Sequence, residues 1–224
     1  MRIAGFSLDG RDAILRHMEA DVMRWRACQI AAVALTALPL LASPGRAKSQ
    51  WTEYRNCRLI EHPFNDGDSF HVKAGNRRHY IFRLYFVDTP ERDDSIAGRL
   101  EEQAAYFEID KQDARRLALQ AARFTRKFLA DGFTVHSMRE DARGRSDRKR
   151  YFGMVEVDGT WLSEALVREG LARIYGKPTE LPDGLSARKY FANLKVAERA
   201  AQREEKGGWA MRAASSRLKL PSRR

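Results

Sequence analysis

Cysteine is scarce. The 224 residues hold two, Cys28 and Cys57, which excludes a disulfide-stapled scaffold and a four-cysteine zinc site. Acidic residues are outnumbered: 30 Asp+Glu against 41 Lys+Arg give a formal net charge of +11. That excess favours an anionic partner, nucleic acid or a membrane surface, and it also serves plain solubility. Long uncharged runs are missing, with the exception of Ala27 to Gly45. At 43% hydrophobic and 32% charged, the chain is too apolar for disorder and too charged for a membrane bundle. No internal repeat is visible. The length suits one ordinary domain with residues left over for tails.

Arg24 and Arg26 precede the uncharged stretch, Leu35, Leu38, Leu40 and Leu41 lie within it, and Gly45-Arg46-Ala47 follows. A basic flank, an apolar stretch and small residues are the parts of a secretory signal. A span takes about 20 apolar residues, and Pro39 and Pro44 disfavour a permanent one. The expectation is export, secreted or periplasmic, by a signal peptide cleaved near Ala47. The alternative is retention as a membrane anchor; no stable anchor is expected. Asp9, Asp12, Glu19 and Asp21 are foreign to a signal, so Met23 is the more natural start. Residues 1–47 are therefore read as extension and signal, and 48–210 as the working domain. Residues 211–224 carry five basic groups and no acid, and read as a disordered cationic tail.

Within the domain, 48–56 read as a polar lead-in. Strands are expected over Cys57–His62, Ser69–Lys73, His79–Val87, Phe133–Met138 and Tyr151–Val157. In the third, Phe82, Leu84 and Phe86 share one face, and Ile81, Arg83, Tyr85 and Val87 the other. Helices are expected over Leu100–Ala130, Leu162–Glu169 and Ser186–Lys206, with Ser186 as a cap. Asp158-Gly159 is hairpin chemistry. Five short strands with helices inserted predict an α+β fold built on a small closed barrel.

Three carboxylates stand where strands begin or end. Asp68 lies in Asn65-Asp66-Gly67-Asp68-Ser69, and Asp88 and Glu91 in Val87-Asp88-Thr89-Pro90-Glu91. If the two strands pair, these groups converge. Hard cations such as calcium take clustered oxygens, which Asp68, Asp88 and the Thr89 carbonyl could supply. Either segment alone is also ordinary turn chemistry. Arg83, mid-strand, is a rigid platform for gripping phosphate through two hydrogen bonds, or equally a structural salt bridge. The basic loop Arg143–Arg150 would add sequence-independent affinity for a phosphate backbone.

These segments resemble the staphylococcal nuclease (thermonuclease) family. The likeness is carried by Phe64-Asn65-Asp66-Gly67-Asp68-Ser69, by Phe82 to Glu91, and by Leu162-Ser163-Glu164-Ala165-Leu166-Val167-Arg168-Glu169-Gly170-Leu171-Ala172. It runs in order from about Cys57 to Trp209. The resemblance implies an OB-type five-stranded barrel with three or more helices. It also implies calcium-dependent hydrolysis of DNA and RNA without sequence preference, releasing the 5′ oxygen. Carried across, Asp68, Asp88 and the Thr89 carbonyl would hold Ca2+. Glu91 would act as general base, and Arg83 and a second arginine would contact the scissile phosphate. Counting back from the Asp158-Gly159 turn selects Arg150, although Lys149 stands where the family has glycine and Gly144-Arg145 carries the Gly-Arg pair. Tyr175 would stack on a base and Lys177 would meet a phosphate. A monomer is expected. The rival reading is a barrel of the same family that binds nucleic acid without cutting it; retention of Asp68, Arg83, Asp88 and Glu91 together argues against that.

Overall fold

Phe133, Val135 and Ser137 are buried while Thr134 and His136 between them are half-buried, the period of two that lays one face of a strand on a core. In the computed structural model, which describes residues 50–75, 77–143 and 149–219, that strand is one of eight. They are β1 (Thr52–Leu59), β2 (Ser69–Lys73), β3 (His79–Leu84), β4 (Val87–Asp88), β5 (Phe133–Ser137), β6 (Arg150–Val157), β7 (Thr160–Trp161) and β8 (Arg173–Ile174). Five helices complete the chain: α1 (Arg99–Phe107), α2 (Lys111–Phe128), α3 (Leu162–Arg168), α4 (Ala187–Arg203) and α5 (Gly208–Lys219).

The sheet runs β3-β2-β1-β5-β6, and a parallel pairing of β3 with β6 closes it into a five-stranded barrel. Closure leaves no free edge among these strands. The Asp158-Gly159 turn joins β6 to β7 as expected. The fold is α+β, an OB-type barrel with helices packed on it. Phe70, Phe82, Val135 and Met154 from the strands and Leu117, Ala121, Leu166 and Leu194 from the helices belong to one buried cluster. Among the described residues, no helix is long and apolar enough to cross a membrane.

Several boundaries differ from the sequence reading. The polar lead-in is part of β1, because Tyr54 and Cys57 face the core while their neighbours stay exposed. The long helix of 100–130 is two. Glu108 takes a left-handed conformation (φ 56°) after α1, and Asp110 caps α2 by accepting from the Asp113 amide at 2.7 Å. A capping aspartate stops one helix from running into the next. The tail is corrected as well: 211–219 continue α5, where Trp209 is buried against Phe107 at a ring distance of 5.0 Å. A bulky aromatic anchors this segment, and charge alone did not reveal it. The export signal, the early start and the segment 1–47 lie outside the described residues, as do Gly144 to Arg148.

The third strand is broken too. It ends at Leu84, and Phe86 sits at φ 69°, a left-handed conformation that costs a non-glycine residue roughly 1 kcal/mol. The surroundings hold it there. The Phe86 amide donates to the Lys177 carbonyl (3.1 Å), its carbonyl accepts from the Tyr175 amide (2.9 Å), and its ring meets Tyr190 edge-on at 4.8 Å.

Candidate active site

The Phe86 bend decides which side chains meet. In an unbroken strand, Arg83 and Asp88 would point to opposite faces, five positions apart. After the bend, β4 pairs with β8, placing Asp88 opposite Arg173, and Arg83 Nη2 donates to Asp88 Oδ1 at 2.7 Å.

Asp68 arrives from the other side. Asp66 Oδ1 accepts from the amides of Asp68 (3.0 Å) and Ser69 (2.5 Å), a side-chain turn that sets Asp68 at the head of β2. There Asp68 is buried. Its Oδ2 accepts from Arg83 Nη2 at 3.3 Å and from the Thr89 amide at 3.2 Å. Gly67 permits the approach: a Cβ there would lie 2.6 Å from Thr89 Cγ2 and 2.8 Å from Ala121 Cβ. Both carboxylates use the same terminal nitrogen of Arg83, so they do not take up the rest of its fork. Burial alone would lower the Arg83 pKa, but Asp68 and then Asp88 raise it well above the ordinary arginine value.

Asp88 is the most heavily bonded group. Its Oδ1 accepts from Arg83 and from Arg99 Nη2. Its Oδ2 accepts from Gln103 Nε2 at 2.9 Å and Arg173 Nε at 2.8 Å. A carboxylate offers about four acceptor sites, and these are filled. Gln103, fully buried, also donates to the Thr89 carbonyl (2.9 Å) and accepts from the Glu91 amide (2.8 Å). One amide thereby fixes the segment 88–91. Glu91 pairs through Oε1 with Arg99 Nε at 2.7 Å. Burial pushes the Glu91 carboxyl above its ordinary value, opposed by Arg99 and reinforced by Asp68 and Asp88.

Arg150 stands at the start of β6, in register with Ile81 of β3, two residues before the Phe152–Arg83 pair. Its Nη1 donates to Ser69 Oγ at 3.3 Å and its Nε to the Arg143 carbonyl at 2.7 Å. Burial, then repulsion from Arg83, lowers its pKa. Two guanidiniums on neighbouring strands that repel each other form a spot where an anion is stabilised. Tyr175 is 54% exposed, and the Arg173 guanidinium lies 4.2 Å from its ring centroid, which ties it to the Asp88 network. Lys177 is separate: its Nζ pairs with Glu140 at 2.7 Å.

The structure thus brings together Asp68, Arg83, Asp88, Thr89 and Glu91, with Arg150 beside Arg83 and Tyr175 one contact removed. The sequence reading missed Arg99, Gln103 and Arg173. A signal existed for one of them: Gln103 shares a helical face with Leu100, Ala104 and Phe107, all buried, and a polar residue in an apolar stripe has a buried partner to meet.

The expected calcium ligands have the right chemistry, two carboxylates and a carbonyl. As arranged, they do not fit the ion. Asp88 is saturated, Thr89 O is bonded to Gln103, and Glu91 is paired with Arg99. Among the described residues, no group of three or more His, Cys, Asp or Glu side chains is placed to hold a metal. The place between Asp88 and Glu91 is filled by a guanidinium.

A closed OB-type barrel with carboxylates and arginines gathered beside the β3–β6 seam defines a class, the small barrels that handle phosphodiesters or other extended anions. Residues 81–211 match the family model described as staphylococcal nuclease homologue, and the chain belongs to that family. It is accordingly a nuclease-like or nucleic-acid-binding module. Asp68 precedes the matched segment and joins it through Arg83 and Thr89. Comparison with curated proteins finds no match.

Proposed function

We propose that the chain is a nuclease that hydrolyses phosphodiester bonds of DNA and RNA by in-line attack of water, without sequence preference. One observation carries this reading: two arginines from adjacent strands, Arg83 and Arg150, converge beside a half-buried carboxylate, Glu91. A phosphodiester carries one negative charge, and its transition state carries more. Guanidiniums held in place by Asp68, Ser69 and the strands stabilise that added charge without reorganising. Glu91 takes the proton of the attacking water. Tyr175 offers an exposed ring for a base to stack on. Lys177 would contribute to phosphate binding only by leaving Glu140. Calcium dependence belongs to the proposal through the family, subject to the mismatch at Asp88. We also propose that the enzyme is exported by the 27–45 segment with cleavage near Ala47 and works as a monomer.

Purified protein should digest plasmid DNA and RNA, and the Glu91→Gln variant should not. Binding of nucleic acid with no cleavage by the wild type, with or without added calcium, would favour the second reading, a non-catalytic binding module. That alternative draws on one observation: Asp88 and Glu91 are already neutralised by guanidiniums.

A further inference from the structure

Four donors hold Asp88, but they are not equally committed. The Arg173 side chain is 6% exposed and faces Asp88 across the β4–β8 pair. Gln103 is buried and makes three hydrogen bonds to the 88–91 segment. Neither can leave without opening the interior. Arg83 bridges Asp68 and Asp88 from within β3. Arg99 differs. Its side chain is 23% exposed, it is the first residue of α1, and the exposed residues 92–98 precede it. Leu100 beside it is buried, so its backbone is anchored while its guanidinium can swing into solvent. That guanidinium is the one group that spans Asp88 and Glu91.

We propose that Arg99 is a resident counter-cation, competing with a divalent metal ion for Asp88 and Glu91. With Arg99 in place, Asp88 Oδ1 has no free acceptor site and a positive charge stands beside any incoming ion. When Arg99 swings out, Asp88 Oδ1 and the Glu91 carboxylate open together, next to the Thr89 carbonyl and Asp68. Metal occupancy and Arg99 docking are therefore mutually exclusive, and the helix inserted after β4 gates the cation. This inference rests on the hydrolase reading only in taking Asp88 and Glu91 as the working carboxylates.

The test is calorimetric titration of calcium chloride into the full chain. Arg99→Gln should bind calcium about tenfold tighter than wild type or more, because a like charge within contact distance is removed. Arg99→Lys, which keeps the charge, should stay near wild type. On the wild-type protein itself, saturating calcium should increase modification of Arg99 by phenylglyoxal, mapped by mass spectrometry, because the displaced guanidinium enters solvent. Equal calcium affinity in wild type and Arg99→Gln overturns the proposal, as does Arg99 labelling that calcium leaves unchanged. Tighter calcium binding by Arg99→Gln with no hydrolysis by any variant supports the gate and overturns the hydrolase reading instead. Active wild-type enzyme with calcium affinity unaffected by position 99 does the reverse.

Discussion

Glu91 is a half-buried carboxylate, and its pKa shift sets a pH dependence. Burial, partly offset by Arg99, raises its pKa above the ordinary 4.5. A base works ionised, so kcat/KM should fall as pH drops through that raised value. The acid limb of the pH profile should therefore sit above 4.5, and Glu91→Gln should erase the limb. The same substitution should lower kcat by about 100- to 10,000-fold; full activity in the Gln variant would remove Glu91 from the chemistry. Arg83→Ala should reduce kcat/KM by about 100-fold or more, in line with loss of one preorganised donor. Steady-state rates on DNA, with folding checked by circular dichroism, decide this. Cys57 shows the opposite use of burial. It is fully buried, its thiol donates to the Tyr54 carbonyl at 3.2 Å, and burial pushes it up to about 11. In a Cys28→Ser protein, iodoacetamide at pH 8 should leave Cys57 unmodified until denaturant unfolds the chain, since the thiolate is the reactive form.

Among the elements, three short connections matter most: the bend at Phe86, the turn at Asp66–Asp68 and the start of α1. Each aims one member of the site. The turn can be tested at Gly67, which packs against Thr89 and Ala121. Gly67→Ala should destabilise the protein by about 1–3 kcal/mol through overpacking and should lower kcat/KM as well, because Thr89 is the atom group displaced. A urea melt and a rate measurement on the same sample check both; a stable variant with reduced rate would place the strain in the site alone. These connections were only partly legible. The five residues of β2 show a clear strand pattern, and Ser186 does cap α4, accepting from the Lys189 amide at 3.4 Å. The Phe86 bend was hidden because nothing in Leu84-Tyr85-Phe86-Val87 breaks a strand by propensity. It is imposed by the main-chain bonds to Tyr175 and Lys177, some 90 residues onward in sequence.

At the scale of the molecule, a net charge of +11 gives nucleic acid binding a strong ionic component. Affinity for single-stranded DNA should fall linearly with salt on logarithmic axes, by about 0.7 per phosphate neutralised. Replacing Arg145, Arg148 and Lys149 by alanine should flatten that slope if the basic loop meets the backbone. Lys177→Ala should change it less, because Lys177 is already paired with Glu140. Fluorescence anisotropy across a salt series measures both.

The sequence by itself determined the family, the α+β barrel and the carboxylates and arginines that gather beside β3. Local patterns suffice for these: alternation sets strands, periodicity sets helices, and turn residues place Asp68, Asp88 and Glu91 at strand ends. Only the tertiary structure decided what stands against those carboxylates. Arg99, Gln103 and Arg173 reach Asp88 from 11, 15 and 85 positions away. No local pattern carries that information, because a buried charge selects its partners by proximity in space, after the chain has closed.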